Sequence, residues 1–389
     1  ARVTMTALFD TLFNGLAIGS VLMLAALGLA VVFGLMGVIN MAHGELMMLG
    51  AYTTFVVQNL LKSGPLQGLF PIYILLSIPI AFLVSGLAGL LLEKTVIRRL
   101  YGRPLETLLA TWGVSLILQQ LVRSVSTAFF LGLLAAVAIG LLAPRFTPAA
   151  WWSQRWTPLL RAGSWILALI SGVGLGSLLG EQRALHQPWF SARNIDVTAP
   201  EWLRGSIDLG GITMPTARLF ILALTALALV GVNWFLQKSA WGIRIRAVTQ
   251  NRSMSSCLGI PTETVDALTF FVGSGLAGIA GVAVTLLGSV GPNLGGNYIV
   301  LAFMVVVLGG LGKLWGTVVA AFLLGILDYV IGSGSLLLLW PSMPAALNGV
   351  ITFFATTSMA KVLVFVLIMV FLQFRPAGIF PQKGRMVEA

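Results

Sequence analysis

The sequence predicts an all-α polytopic membrane protein, a helical bundle of about nine to eleven transmembrane helices, and three observations support it. Apolar residues fill 58% of the 389 positions and charged residues only 9%, against about 25% in soluble domains, so the chain lacks the polarity to cover a water-facing surface. Many apolar runs reach the ~18–20 residues a helix needs to cross hydrocarbon, which excludes a barrel of short alternating strands. Glycine, at 44 residues, recurs in small-xxx-small spacings at Gly15/Gly19, Ser274/Gly278 and Ala277/Gly281, as in helices that pack closely in lipid.

The spans follow in order. The first covers 8–37; its apolar stretch is much longer than the core of a secretory signal, so it is expected to stay rather than be cleaved. Next come 44–61, 72–92 and 105–122, two weaker runs at 126–143 and 164–180, then 217–237, 264–288, 294–310, 316–332 and 350–374. Loop 93–104 carries Lys94, Arg98, Arg99 and Arg103, loop 238–263 carries Lys238, Arg244, Arg246 and Arg252, and the tail carries Arg375, Lys383 and Arg385. The positive-inside rule places all three in the cytoplasm. The net charge of +11 is therefore read as loop charge, with no nucleic acid as partner and membrane lipid as the surroundings.

An even number of crossings must separate the two basic loops. With both weak runs the bundle has about eleven spans, Arg145, Arg155 and Arg161 fall inside, the N-terminus is outside and the C-terminus cytoplasmic. If those runs are an external excursion, about nine spans remain and the parity survives. The chain is thus one transmembrane domain, 1–389, with a variable insert at 124–216 and a cytoplasmic loop at 238–263. Within the insert, 181–216 mixes both charge signs with Pro188, Pro200, Trp189 and Trp202, which predicts a structured external loop. Its tryptophans are either interfacial anchors or a contact for an external delivery protein.

Several chemistries are missing. The nearest approach to a phosphate-cradling GxxxxGK[ST] is "GGLGKLWG" at 309–316, where Leu314 replaces the hydroxyl that Mg²⁺ would need. His43 and His186 are the only histidines and Cys257 the only cysteine, so no metal site, disulfide, cofactor or catalytic centre is expected. The sequon Asn251-Arg252-Ser253 lies in a loop placed inside, where it is not a glycosylation site. Acids at membrane depth reduce to Glu45 and Asp328, and Lys361 in the last span is expected to snorkel. A chain this poor in ionisable relays needs another polypeptide to supply energy for uphill transport.

Two stretches remain. In "VFGLMGVINMAHGELMMLGAY", from Val32 to Tyr52, Asn40, His43 and Glu45 stand close together. The local reading is a turn in which Asn40 caps a helix starting near Ala42, Glu45 occupies its first turn, His43 is a satisfied turn residue and Gly44 allows close packing. In the loop, 245–258 is expected to be helical, with Ala247, Val248, Asn251, Ser255 and Leu258 along one mildly apolar face, stopped by Gly259 and Pro261. Such a helix is an interfacial helix, an ordinary loop, or a knob for a partner's groove.

"WGIRIRAVTQNRSMSSCLGIPTETVDALTFFVGSGLAGIAGV" resembles the coupling loop and following helix of branched-chain amino acid-type ABC permeases, and "GVINMAHGELMMLGAY" resembles their N-terminal signature. The tail "FRPAGIFPQKGR" and "NIDVTAP" are more similar still to the permease subunits of urea ABC importers, found in cyanobacteria and other bacteria. The likeness covers most of the chain and is thinnest over 124–180. It implies an ABC importer permease fold in the bacterial inner membrane, paired with a second homologous permease, two cytoplasmic ATP-binding subunits that hold ATP and Mg, and a periplasmic substrate-binding protein. By resemblance, Arg246, Ala247, Val248, Asn251, Ser255 and Leu258 form the ATPase contact, and Leu301 stands where relatives often place an acid.

Within the resemblance, "VINMAHGE" interrupts the first helix at a depth where broken backbone is tolerated only beside protein or water, so Asn40, His43 and Glu45 become candidates for the substrate pathway. The expected substrate is urea or a related short amide, to whose neutral groups Asn40 can donate and accept and from which Glu45 can accept. The alternative within the family is a branched-chain amino acid. The alternative from another class is a self-sufficient channel or ion-coupled carrier.

Overall fold

The computed structural model describes residues 2–63, 67–126, 131–132, 170, 174, 189–190, 194–209, 212–335, 349, 352–353 and 355–380. In chain order the α-helices are α1 (Arg2–Met36), α2 (His43–Ser63), α3 (Tyr73–Thr95), α4 (Pro104–Ser124), α5 (Thr216–Lys238), α6 (Ala240–Gln250), α7 (Arg252–Cys257), α8 (Thr262–Thr285), α9 (Leu294–Gly309), α10 (Leu314–Gly332) and α11 (Thr357–Phe374). A hairpin of β1 (Ser206–Leu209) and β2 (Ile212–Pro215) precedes α5, with Ser206 paired to Pro215 and Leu209 to Ile212.

Among the described residues six segments are long and apolar enough to cross a membrane: Leu8–Met36, Gln67–Arg99, Pro104–Ser124, Thr216–Lys238, Thr262–Thr285 and Leu314–Gly332. Leu294–Gly309 and Met359–Phe374 are apolar but shorter. Helix α2 spans 21 residues yet carries His43, Glu45 and Lys62. Each stronger expected span falls on one of these helices. The weaker runs 126–143 and 164–180 lie almost wholly outside the described residues, as do Arg145, Arg155, Arg161, Lys383 and Arg385.

The chain divides into two compact units, residues 1–115 with 196–389, and residues 116–195. In the second unit Val122 and Val125 are buried, and the Trp189 N–H donates to the Val125 carbonyl at 2.9 Å.

In the first unit the core runs through α1 and α8, whose spanning windows are 83% and 78% buried, against 33–39% for α3, α5 and α10. Helix α1 has no charged residue after Asp10, so it can be surrounded by other helices, and Leu22 to Ala26 are all buried. Helix α3 separates its two faces by size. Ser77, Ala81, Ser85 and Gly89 point inward, while Leu83, Leu87 and Leu91 point out. Lipid is as apolar as leucine, so the small face gives the close helix contact and the large face meets the tails. Ser274 and Gly278 of α8 lie against this small stripe, and Gly15 and Gly19 of α1 against Ile326, Phe322 and Ala321 of α10, so the expected small-residue spacings mark helix contacts.

The basic loops share one end of this unit. Arg98 after α3 donates to Glu263 at the start of α8 at 2.9 Å, and the Ile379 N–H beyond α11 donates to Leu308 at the end of α9 at 2.8 Å. In the same unit, Thr198 and Trp202 of 181–216 are fixed at the other end of α3. The Tyr73 hydroxyl donates to the Thr198 carbonyl at 2.7 Å, and the Trp202 indole donates to the Pro71 carbonyl at 2.7 Å and meets Phe220 edge-on. Trp202 is therefore held by the protein itself.

Candidate functional site

Helix α1 stops at Met36 because Gly37 adopts a left-handed φ of 68°, its N–H still donating to the Phe33 carbonyl at 2.9 Å. The chain then turns back into the bundle. His43 Nε2–H donates to the Ala25 carbonyl at 3.1 Å. Ala25 lies eleven residues before the end of α1 (36 − 25), ~16 Å along its axis at 1.5 Å per residue. Helix α2 thus begins deep in the interior rather than at the membrane surface. Helix α9 begins there too, since Gly44 packs on Gly295 so tightly that a Cβ on either would collide with the other's backbone. Two helix N-termini, each with partial positive charge, meet inside the bundle.

The candidate pathway residues gather at this meeting point. Asn40 is buried, and its side-chain oxygen accepts the Ala42 N–H at 3.0 Å. Its Nδ2 has no hydrogen-bond partner among the described residues. Glu45 sits in the first turn of α2 and accepts the Ser115 hydroxyl at 3.1 Å. His43 is fully enclosed and ties α2 to α1. Thr111, whose hydroxyl oxygen accepts the Met41 N–H at 3.1 Å, and Ser115 lie one turn apart on α4 and complete the polar wall. Sequence reasoning missed this pair; the signal was a hydroxyl repeat, T-x-x-x-S, inside an apolar span. The arrangement offers neutral donors and acceptors with one carboxylate, a set suited to a carbonyl or amide group.

The second candidate site is the loop between α5 and α8. The single helix expected over 245–258 is two helices, α6 and α7, separated at Asn251. The reason is local. Asn251 is extended, with φ −153° and ψ 101°, and its side-chain oxygen accepts from Met254 N–H at 3.0 Å and from the Ser253 hydroxyl at 2.9 Å, so it starts a new helix rather than continuing the old. Gly259, at φ 81°, then ends α7, and Pro261 precedes α8, as the stop signal required. The six positions do not form one face. Val248 and Ser255 are buried within the chain, Arg246 donates to the Leu236 carbonyl at 2.6 Å, and Ala247 is half-buried. Asn251 is the elbow, and Leu258 is 75% exposed. Met254, 59% exposed and one turn before Leu258, adds an outward apolar side chain not singled out from sequence.

The model of the family described as branched-chain amino acid transport system, permease component, matches residues 11–372. Among similar proteins, the high-affinity branched-chain amino acid transport system permease protein BraD of Pseudomonas aeruginosa is 25% identical over 82% of this chain and 84% of its own length. The corresponding LivH protein of Salmonella typhimurium is 27% identical over 82% and 83%. A probable branched-chain amino acid transport permease protein LivH of Methanocaldococcus jannaschii is 26% identical over 80% and 77%. No solved structure matches the chain.

Proposed function

Since the chain belongs to the family of branched-chain amino acid transport system permease components, an ABC permease subunit and not an enzyme, we propose that it forms the solute path of an ATP-driven importer of small nitrogenous solutes. The observation that carries this reading is the family match over residues 11–372 of a multi-pass helical chain. In the proposed assembly a second homologous permease completes the pore, two cytoplasmic subunits bind ATP and Mg, a periplasmic protein delivers the solute, and this chain binds no cofactor. It lies in the inner membrane with its N-terminus outside and its C-terminus in the cytoplasm, the orientation favoured by its basic loops.

The ATPase contact is proposed over Arg246, Ala247, Val248, Asn251, Ser255 and Leu258. Leu258, with Met254, is the exposed knob, and Val248 and Ser255 shape the elbow from within. Closure of the ATPases moves the elbow and tilts α5 and α8, which opens or shuts the path past Asn40, His43 and Glu45. For cargo, branched-chain amino acids are the first reading, because that is what the named relatives carry. Urea or a short amide is the second. What favours it is that, among the lysines and arginines whose side chains are described, none is buried, whereas a zwitterion's carboxylate gains from a fixed cation.

The test is uptake of labelled leucine and labelled urea into vesicles holding the complete transporter. The first reading expects ATP-dependent leucine uptake, competed by isoleucine and untouched by urea. Urea uptake insensitive to leucine would establish the second reading instead, and uptake by this permease without ATP would reject the coupled mechanism.

A further inference from the structure

Helix α7 buries little of itself; Ser255 is its only fully buried residue. Its strongest attachment is its first residue. Arg252 lies 2.6 Å from Asp266, whose side chain is 4% exposed in the second turn of α8. The same guanidinium stands over the ring of Tyr101, 4.8 Å from its centroid. Tyr101 belongs to the α3–α4 connection, so one side chain joins three separate elements.

Behind the ring lies a second ion pair. Glu93, fully buried at the end of α3, accepts two N–H groups of Arg98 at 3.2 and 3.1 Å, and a third N–H of Arg98 reaches Glu263 at 2.9 Å. The phenol of Tyr101 is held above the ordinary tyrosine range, first by burial and then by the charges of Asp266 and Glu93, against the opposing pull of Arg252 and Arg98. It is a neutral hydroxyl between two ion pairs.

Tyr101 also meets the helix break. It packs on the cluster that holds Val38 and Ala42 of the break together with Val32 of α1, Leu92, Ile97 and Phe270. With Met36, Gly37 and Val38 it also lines a cavity of about 180 Å³. One residue therefore touches both the short helix and the start of the Gly37–Ala42 turn.

We propose that Arg252, Tyr101 and Asp266 form the joint that carries movement of α7 to the Gly37–Ala42 break, and so are positioning residues for transport. The proposal rests on the reading of α6–α7 as the ATPase contact. A close ion pair with a largely buried acid resists separation and so transmits a pull, whereas apolar contacts alone would let α7 slide.

The test uses the transporter purified from membranes through a tag on this chain and reconstituted with its binding protein, with labelled leucine and urea both supplied. In Arg252→Gln the ATPases are expected to co-purify as in the unaltered protein, while uptake per ATP hydrolysed falls about tenfold. Arg252→Lys should restore part of the ratio, and Arg252→Glu with Asp266→Arg should exceed either single change. Should Arg252→Gln not assemble, Tyr101→Leu, which keeps an apolar side chain against the cluster but loses the ring face, is expected to show the same fall. An unchanged ratio in an assembled Arg252→Gln or Tyr101→Leu transporter overturns the joint. Met254→Asp with Leu258→Asp tests the underlying reading separately: lost co-purification of the ATPases supports the contact, and full co-purification rejects it.

Discussion

Glu45 and Glu93 are both buried carboxylates at helix ends, 1% and 0% exposed, but they sit at opposite ends of their helices. Glu45 is in the first turn of α2, where the helix dipole favours negative charge, and one of its oxygens accepts the Ser115 hydroxyl. Glu93 is in the last turn of α3, where the dipole opposes it, and Arg98 grips both its oxygens. The difference shows how one chain places polarity at two depths. Around Glu45 it uses helix N-termini, hydroxyls and backbone. At the end with the basic loops, where one partner of each pair keeps contact with solvent, it uses guanidinium pairs and builds a stiff linkage. Under the proposed function, the first region would meet the solute and the second would transmit force.

That contrast ranks three substitutions by thermal unfolding of the purified protein. Gly44→Ala should cost most, toward the upper end of the ~1–3 kcal/mol typical of overpacking, because its new methyl meets the backbone of Gly295, which cannot rotate away. Asn40→Ala removes the oxygen that caps α2 and should cost ~1 kcal/mol. Glu263→Gln should cost least, ~0.5 kcal/mol or less, because Glu263 is 71% exposed and water already screens its pair with Arg98. If Glu263→Gln proved the most damaging, the ionic end would be the stabilising region and the interior contacts secondary, the reverse of this picture.

The stronger spans, the small-residue contacts and the interruption after Met36 were all legible in the sequence, because each depends on hydropathy or on glycine at a local position. The depth of the interruption was not. That His43 returns to the level of Ala25 depends on where α9 begins against Gly44, a contact some 250 residues away in sequence that no periodicity reports. Asn251 was legible as a residue but misassigned: its place in an apolar repeat outweighed its strong preference for starting helices, and the structure shows the preference prevailing. Thr111 and Ser115 passed unnoticed because hydroxyls in a span are most often bonded to their own helix. Tyr101 gave no signal, since its importance comes from three elements that meet only in the fold. The cargo is legible in neither, because uncharged donors and acceptors fit an amide and an amino acid backbone alike.

The most direct measurement of the central claim, that force applied at α7 reaches the interior break, is thiol labelling at Ile39 in the assembled transporter. Cys257 is the only native cysteine, so Cys257→Ser with Ile39→Cys gives a single reporter in the turn. The account predicts that its labelling rate by a membrane-impermeant maleimide changes severalfold between the nucleotide-free and vanadate-trapped states, and that Arg252→Gln abolishes the change. Equal rates in both states, in a variant that still transports, would contradict it.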